Sequence, residues 1–168
     1  MSFEVIDIKT LEDNFFRRIG SEWTLITAGT PESFNTMTAS WGGVGVLWNK
    51  NVVFSFIRDS RYTLSFVDSS EYYSVCFFGG SYMKELAFCG KHSGRDVDKV
   101  NATGLTPVFD EAAPYFAEAD LVLICKKQYR QSMSADCFTD KENVEKWYSD
   151  NDWHEIFVGE IVKALKKA

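Results

Sequence analysis

The run Asn35-Thr36-Met37-Thr38-Ala39-Ser40-Trp41 sets three hydroxyls, an amide and an indole within seven positions. An extended chain sends successive side chains to opposite faces, so Thr36, Thr38 and Ser40 share one face and Asn35, Met37, Ala39 and Trp41 the other. Gly42, Gly43 and Gly45 follow, where the backbone can turn or lie close against another group. A strand that only filled a core would carry Val, Ile or Leu. Two readings stay open. One is a half-exposed strand with a polar face that ends in a tight turn. The other is a wall of a ligand site, in which hydroxyls and backbone amides hold a polar ligand while Trp41 covers an aromatic one.

A second group of chemistry-bearing residues follows an apolar strand. Val52 to Arg58 is nearly all apolar until its last residue, and a short helix is expected from Ser60 to Phe66 with Ser60 as its cap. Two guanidiniums (Arg58, Arg61), two hydroxyls (Ser60, Thr63) and free N–H groups at a helix start together make an anion site. The plainer alternative is a capped helix with two solvated arginines. Lys91-His92-Ser93-Gly94-Arg95 is another basic, glycine-containing loop, suited to a phosphate or to plain solvation.

Other chemistries find little support. Gly43-Val44-Gly45 is followed by Trp48 where a dinucleotide-binding loop needs its third glycine, and there is no phosphate-binding GxxxxGK[ST] loop. Cys89 and His92 have ligand-like spacing, but no second pair completes a metal site. No nucleophile elbow surrounds a serine, and His154, next to Trp153, reads as structural or rim. With no acid–base or nucleophilic apparatus, an enzyme of this sequence would borrow its chemistry from a cofactor.

The elements that position these residues read as one domain spanning 1–168. Helices are expected at Thr10–Ile19, Ser60–Phe66, Ser81–Phe88 and Val97–Ala102. Strands are expected at Trp23–Ala28, at the Asn35 stretch, at Val52–Arg58, Tyr72–Phe78 and Ala119–Tyr129, and from Glu155 to Leu165. Residues 1–9 read as a lead-in, Val46–Trp48 runs into a turn at Asn49–Asn51, and Ser134–Asp152 is polar apart from Trp147 and Tyr148. Regular alternation of strand and helix is missing, so the fold class is mainly β: an antiparallel Greek-key barrel with short peripheral helices.

Composition narrows the partners. Fourteen Phe, seven Tyr and five Trp exceed what one small core hides, so some rings should line a pocket or a subunit interface. A net charge of −6 argues against nucleic acid. No apolar run is long enough for a membrane span. Four scattered cysteines without a CxxC, and no secretory signal, fit free thiols in the cytoplasm.

Three blocks of the sequence then resemble the flavin reductase-like family, in particular its flavoredoxin-type members. They are Asn35 to Gly43, Phe56-Ile57-Arg58 with Arg61-Tyr62-Thr63, and Phe88 to Lys99; Ala119–Leu123 and Phe157–Val162 fit in order. The resemblance implies an FMN-binding split barrel that forms a homodimer, with FMN near the dimer interface. It implies that Asn35, Thr36, Met37, Thr38, Ala39, Ser40 and Trp41 contact the isoalloxazine and ribityl chain. Arg58, Arg61 and Thr63 would lie near the phosphate, Lys91 would reach the flavin from its loop, and Phe157 would lie near the ring. The segment Gln128–Gln131, where relatives of this type place another contact, has no histidine. Two functions follow as expectations. The first is an NAD(P)H-dependent flavin oxidoreductase that passes hydride or electrons through FMN to a second flavin or a redox-protein acceptor. The second is a non-enzymatic electron carrier with tightly bound FMN. A barrel that has lost its flavin is a third.

Overall fold

The structure, a computed structural model, describes residues 2–168. In chain order the elements are β1 (Phe3–Ile6), a 3₁₀ turn at Ile8–Thr10, α1 (Phe15–Gly20), β2 (Thr24–Thr30), β3 (Ser33–Ala39), β4 (Gly42–Leu47) and β5 (Lys50–Arg58). Then come α2 (Thr63–Ser69), β6 (Tyr72–Phe77), α3 (Met83–Lys91), α4 (Lys99–Thr103), β7 (Pro107–Val108) and β8 (Tyr115–Phe116). The chain ends with β9 (Leu121–Ser132), a 3₁₀ turn at Ala135–Cys137, α5 (Glu142–Trp147) and β10 (His154–Lys167).

Eight strands form one antiparallel sheet in the order β3-β2-β6-β9-β10-β5-β4, with β1 beside the far end of β10. The two strands at the ends of that path, β3 and β4, are consecutive in the chain and separated only by Ser40 and Trp41. Two residues reach only about 7 Å when extended, so the sheet has to curl until its edges nearly meet. They are not hydrogen-bonded to each other. The result is a barrel with a split, as the sequence predicts, and the split lies at the Ser40–Trp41 seam.

Alternation along the strands fills two apolar cores. Ile26, Met37, Val53, Ile57, Tyr73, Val75, Phe77, Leu123 and Phe157 point into the barrel. Leu25, Cys76, Val122 and Ile124 point outward beneath Leu86 and Cys89 of α3 and beneath Tyr115 and Phe116. Strands buried on both faces read as continuous apolar runs, which is why β5, β6 and β9 stand out in the sequence.

Several expected elements shift. The helix expected over Thr10–Ile19 begins only at Phe15. Asn14 caps it, accepting from the Arg17 N–H at 3.1 Å, and Thr10 instead bonds back to the Asp7 carbonyl at 2.8 Å. The helix expected from Ser60 starts at Thr63 with no side-chain cap, because both the N–H and the hydroxyl of Ser60 are taken by Asp152. Gly42 to Leu47 is a strand, and its turn into β5 is Trp48-Asn49, both in the left-handed conformation that a two-residue hairpin of this type demands. Helix α3 runs on through Gly90 and Lys91, residues expected in a loop. The lead-in at 3–6 is a strand against β10.

One close approach makes a clean test of barrel packing. A Cβ at Gly159 would lie 2.4 Å from Tyr73 Oη and 2.8 Å from Cys125 Cβ, whereas one at Gly20 meets nothing within 4 Å. Gly159→Ala should lower stability by about 1–3 kcal/mol in chemical denaturation through overpacking, while Gly20→Ala stays within about 0.5 kcal/mol of the parent. Equal midpoints for the two variants would contradict this packing.

Candidate functional site

Where the sheet edges fail to meet, two cavities open beside the seam. The first, about 190 Å³, is lined by Thr38, Ser40, Trp41, Phe56, His154 and Trp147 among others. The second, about 260 Å³, is lined by Thr63, Lys91, Ser93, Gly94, Lys99 and Asp152 among others. Both include Met37, Arg58 and Arg61 in their walls, so they form one cleft with an aromatic end and a basic end. A roomier hollow of about 570 Å³ lies beyond Asn35 and Gly94, but Arg95 and Lys99 in its wall are offset by Asp96 and Asp98. The cleft at the seam has the more pointed chemistry.

At the aromatic end Trp41 is 41% exposed. Trp147 meets it edge-on at 5.0 Å, and the His154 ring lies at 5.3 Å. His154 is buried, with Nδ1 2.8 Å from Tyr148 Oη, and burial together with the nearby Arg58 charge pushes its pKa down to about 4. It is therefore a neutral ring at pH 7. Pairing of β10 with β5 puts His154 opposite Arg58 and Phe157 opposite Ser55. Alternation thus turns Phe157 to the other face, where it is wholly buried in the barrel and lines neither cavity. The structure does not bring Phe157 to the cleft.

Strand β3 contributes its backbone more than its side chains. Asn35 is buried and donates to Thr63 Oγ1 at 2.9 Å. Gly94 packs so tightly on Asn35 that a Cβ there would come 2.1 Å from Oδ1. Thr36 shares a 2.8 Å bond with Thr27 inside the protein, and the Thr38 hydroxyl donates to the Leu86 carbonyl of α3. Met37 and Ala39 belong to the barrel core. The Thr36 and Thr38 hydroxyls and the Asn35 amide are thus spent on internal bonds, while Ser40 is exposed at the cleft. Yet β3 is an edge strand, and the Thr36 carbonyl faces away from β2 to accept from Lys99. By the period of two, the N–H and C=O of Thr38 also face outward, toward ligand or solvent.

The basic end divides into compensated and uncompensated cations. Arg58 donates to the Asp152 carbonyl at 2.7 Å and to the Trp147 carbonyl at 2.9 Å, and lies 3.8 Å from the Asp152 carboxylate. Its role is to hold the segment before β10 over the cleft. Arg61 donates to the Gly90 carbonyl and pairs with no carboxylate among the described residues. Lys99 is 7% exposed, and its Nζ donates to Thr36 O at 2.6 Å and Cys89 O at 3.0 Å. An ammonium has three donors, so one remains for the cleft. Lys91 is exposed at the end of α3 and lines the same cavity. Asp152 is the carboxylate in this wall, and it forms an ion pair with neither Arg61 nor Lys99.

Sequence reasoning leaves out Lys99, Trp147, His154 and Asp152 as site residues. Lys99 sits inside the Phe88–Lys99 block but gives no local sign that it is buried. Trp147 stands out only as an aromatic in a polar stretch. Among the described residues no cluster of His, Cys, Asp or Glu could hold a metal, no helix is long and apolar enough to cross a membrane, and all four cysteines are free.

Comparison with known proteins bears on this cleft. The sequence pattern of the flavin reductase like domain matches residues 16–167. The fold resembles flavoredoxin from Methanosarcina acetivorans at 25% identity, covering 86% of this chain and 68% of that one with a TM-score of 0.65. It resembles an FMN-binding domain of a flavin reductases-like enzyme from Shewanella baltica OS155 at 14% identity, covering 98% and 77% with a TM-score of 0.68. An NADH:FAD oxidoreductase from Streptomyces globisporus C-1027, solved with NAD and FAD fragments, matches at 20% identity over 86% and 74% with a TM-score of 0.65. The latter two likenesses speak to fold alone. Curated proteins give no match.

Burial of Lys99 makes a pH test. Desolvation, offset by little else, pulls its pKa from 10.5 down to about 8. Below pH 8 the lysine is charged in folded and unfolded chains alike, and the burial penalty stands in full. Between pH 8 and 10.5 the folded protein has released the proton and the unfolded chain still holds it, so stability rises with pH. Relative to Lys99→Met, the parent should gain on the order of 2–3 kcal/mol across that window in phosphate-free denaturation experiments. A constant difference would contradict a desolvated ammonium.

Proposed function

The chain belongs to the family of flavin reductase like domains, and from that premise we propose that its seam cleft holds FMN and that the protein is a flavin-dependent oxidoreductase. In this reading reduced nicotinamide, NADH or NADPH, is the electron donor, and a second flavin or a redox protein is the acceptor. The observation that carries the proposal is the pairing, within one cleft, of a half-open indole with two cations that form no ion pair with a carboxylate, Arg61 and Lys99.

The donor set fits the group. FMN is a planar aromatic tricycle with a hydroxylated chain and a dianionic phosphate. Trp41 covers the ring, and the outward backbone of β3 around Thr38 meets its polar edge. Arg61, Lys99 and Lys91 hold the phosphate by charge-assisted hydrogen bonds, with Ser93 and Gly94 shaping the loop around it. Asn35 and Thr36 act one layer back, by keeping β3, α2 and the Gly94 loop in register, while Met37, Ala39 and Thr63 form part of the cleft walls. His154 and Trp147 keep water from the ring end without adding charge. Bound FMN supplies the redox chemistry itself, and the chain supplies position and electrostatics.

Self-association as a homodimer belongs to the same reading. Phe16 is 94% exposed, Val46 71% and Trp48 54%. An apolar groove lined by Phe15, Phe16, Ile19, Val44 and the second side of Trp41 adjoins them. Rigid rings and an unpaired β4 edge are features that a second copy would cover. Four free thiols suit a reducing, cytoplasmic setting.

One observation favours the rival function of an electron carrier. Trp147 narrows the ring end to about 190 Å³, below the roughly 300 Å³ at which small-molecule pockets usually begin. A nicotinamide would have to move that residue to reach a bound flavin. Anaerobic mixing with NADH and NADPH separates the two functions: prompt bleaching of the flavin's visible absorbance is expected of the reductase, and its absence leaves the carrier. For the site itself, Arg61→Ala should weaken FMN binding about tenfold or more, as loss of a charged hydrogen bond worth roughly 1.5–3 kcal/mol requires. Riboflavin, which lacks the phosphate, should bind both proteins alike. Unchanged FMN affinity would place the phosphate elsewhere.

A further inference from the structure

The Arg58–Ser60 corner already contains an anion. Asp152, just before β10, accepts from the Ser60 N–H at 2.9 Å through Oδ1 and from the Ser60 hydroxyl at 2.7 Å through Oδ2. The same carboxylate is 3.8 Å from Arg58 and forms part of the wall of the basic cavity that Arg61, Lys91 and Lys99 also line. Its side chain is 20% exposed, so its field reaches the cavity with less screening than a surface carboxylate. Asp150 is the contrast: it lies 3.9 Å from the same guanidinium, is 68% exposed and makes no bond to Ser60. Two carboxylates are near Arg58, and only one occupies donors that a phosphate would use.

Resting on the reading that an anionic flavin tail enters this cleft, we propose that Asp152 sets the affinity of the site. Its carboxylate competes with the incoming phosphate for the two Ser60 donors and repels it from Arg61 and Lys99. A dianionic phosphate brings more charge and more acceptor oxygens than one carboxylate, so the ligand wins the contest and binds, but less tightly than the cations alone would hold it. The consequence is a flavin that exchanges with solution instead of staying through every turnover. The backbone of the same segment stays anchored when the carboxylate yields. Arg58 holds the carbonyls of Trp147 and Asp152, and the Asp59 N–H donates to the Trp153 carbonyl at 2.9 Å.

Asp152→Asn keeps the size of the side chain and one acceptor for Ser60 while it removes the charge. The full chain carrying this change should bind FMN about fivefold or more tightly than the parent, and release it more slowly, while riboflavin affinity stays the same. Asp150→Asn should leave both affinities where they were. Inorganic pyrophosphate, followed by calorimetry, gives the same comparison without a flavin, and Asp152→Asn should tighten it as well. Tightening of pyrophosphate in a protein that takes up no flavin would sustain this proposal and end the flavin reading. FMN binding that ignores Asp152→Asn, or riboflavin binding that tightens equally, would overturn it and leave the flavin reading in place. Failure of the variant to bind either FMN or pyrophosphate would also overturn it.

Discussion

Two residues, Ser40 and Trp41, must span the distance between the first and last strands of the sheet. A connection that short forbids a flat sheet and forces β3 and β4 toward each other. It does not bring them into hydrogen-bonding register, so the barrel closes around its inner apolar core and stays open along one seam. The indole sits at that seam because it is half of the connection. Its two sides then face different surroundings: the cleft between β3 and β10, and the apolar groove beside α1. Barrel closure, the aromatic wall of the site and the exposed apolar groove follow from one short link.

An acidic protein with a basic cleft has to keep some of its cations from pairing with its own carboxylates. Here the division is sharp. Arg18 is buried with Asp120 at 2.7 Å and Asp13 at 3.0 Å, and serves only to pin α1 to the barrel. Arg58 spends its donors on backbone carbonyls of the segment that roofs the cleft. Lys99 is buried and Arg61 half-buried, each with carbonyls as its only hydrogen-bond partners among the described residues. Burying charge without a counter-ion is costly, and the depressed pKa of Lys99 records that cost. A bound anion offsets it. The stability lost to an empty cleft is, in this account, regained when the ligand arrives.

Much of the architecture was legible in the sequence because β5, β6, β9 and β10 are buried on both faces or alternate cleanly, and neither pattern suits a helix. What misled was local chemistry with a distant partner. Ser60 looks like a helix cap, and it is instead the receptor for a carboxylate 92 positions away. Gly42 to Gly45 look like a turn because glycine is the commonest turn residue, yet they run as a strand beside β5. The Thr36 and Thr38 hydroxyls announce a polar surface, and they are absorbed by Thr27 and the Leu86 carbonyl. Trp41, Arg61 and Lys91 were legible as candidate site residues from composition and family likeness. Lys99 and Trp147 were not, since burial of one and the roofing position of the other depend on contacts with β3 and with the seam. Phe157 shows the converse, a residue placed near the ring by likeness and turned into the core by strand alternation.

The central claim is spatial: a flavin ring against Trp41 and its phosphate on Arg61 and Lys99. A crystal structure of the protein grown with excess FMN tests it most directly. The account predicts the isoalloxazine in contact with the indole at the seam and phosphate oxygens within hydrogen-bond distance of Arg61 Nη and Lys99 Nζ. Flavin density at any other place on the protein, or a phosphate that leaves both cations with only their carbonyl partners, would contradict it.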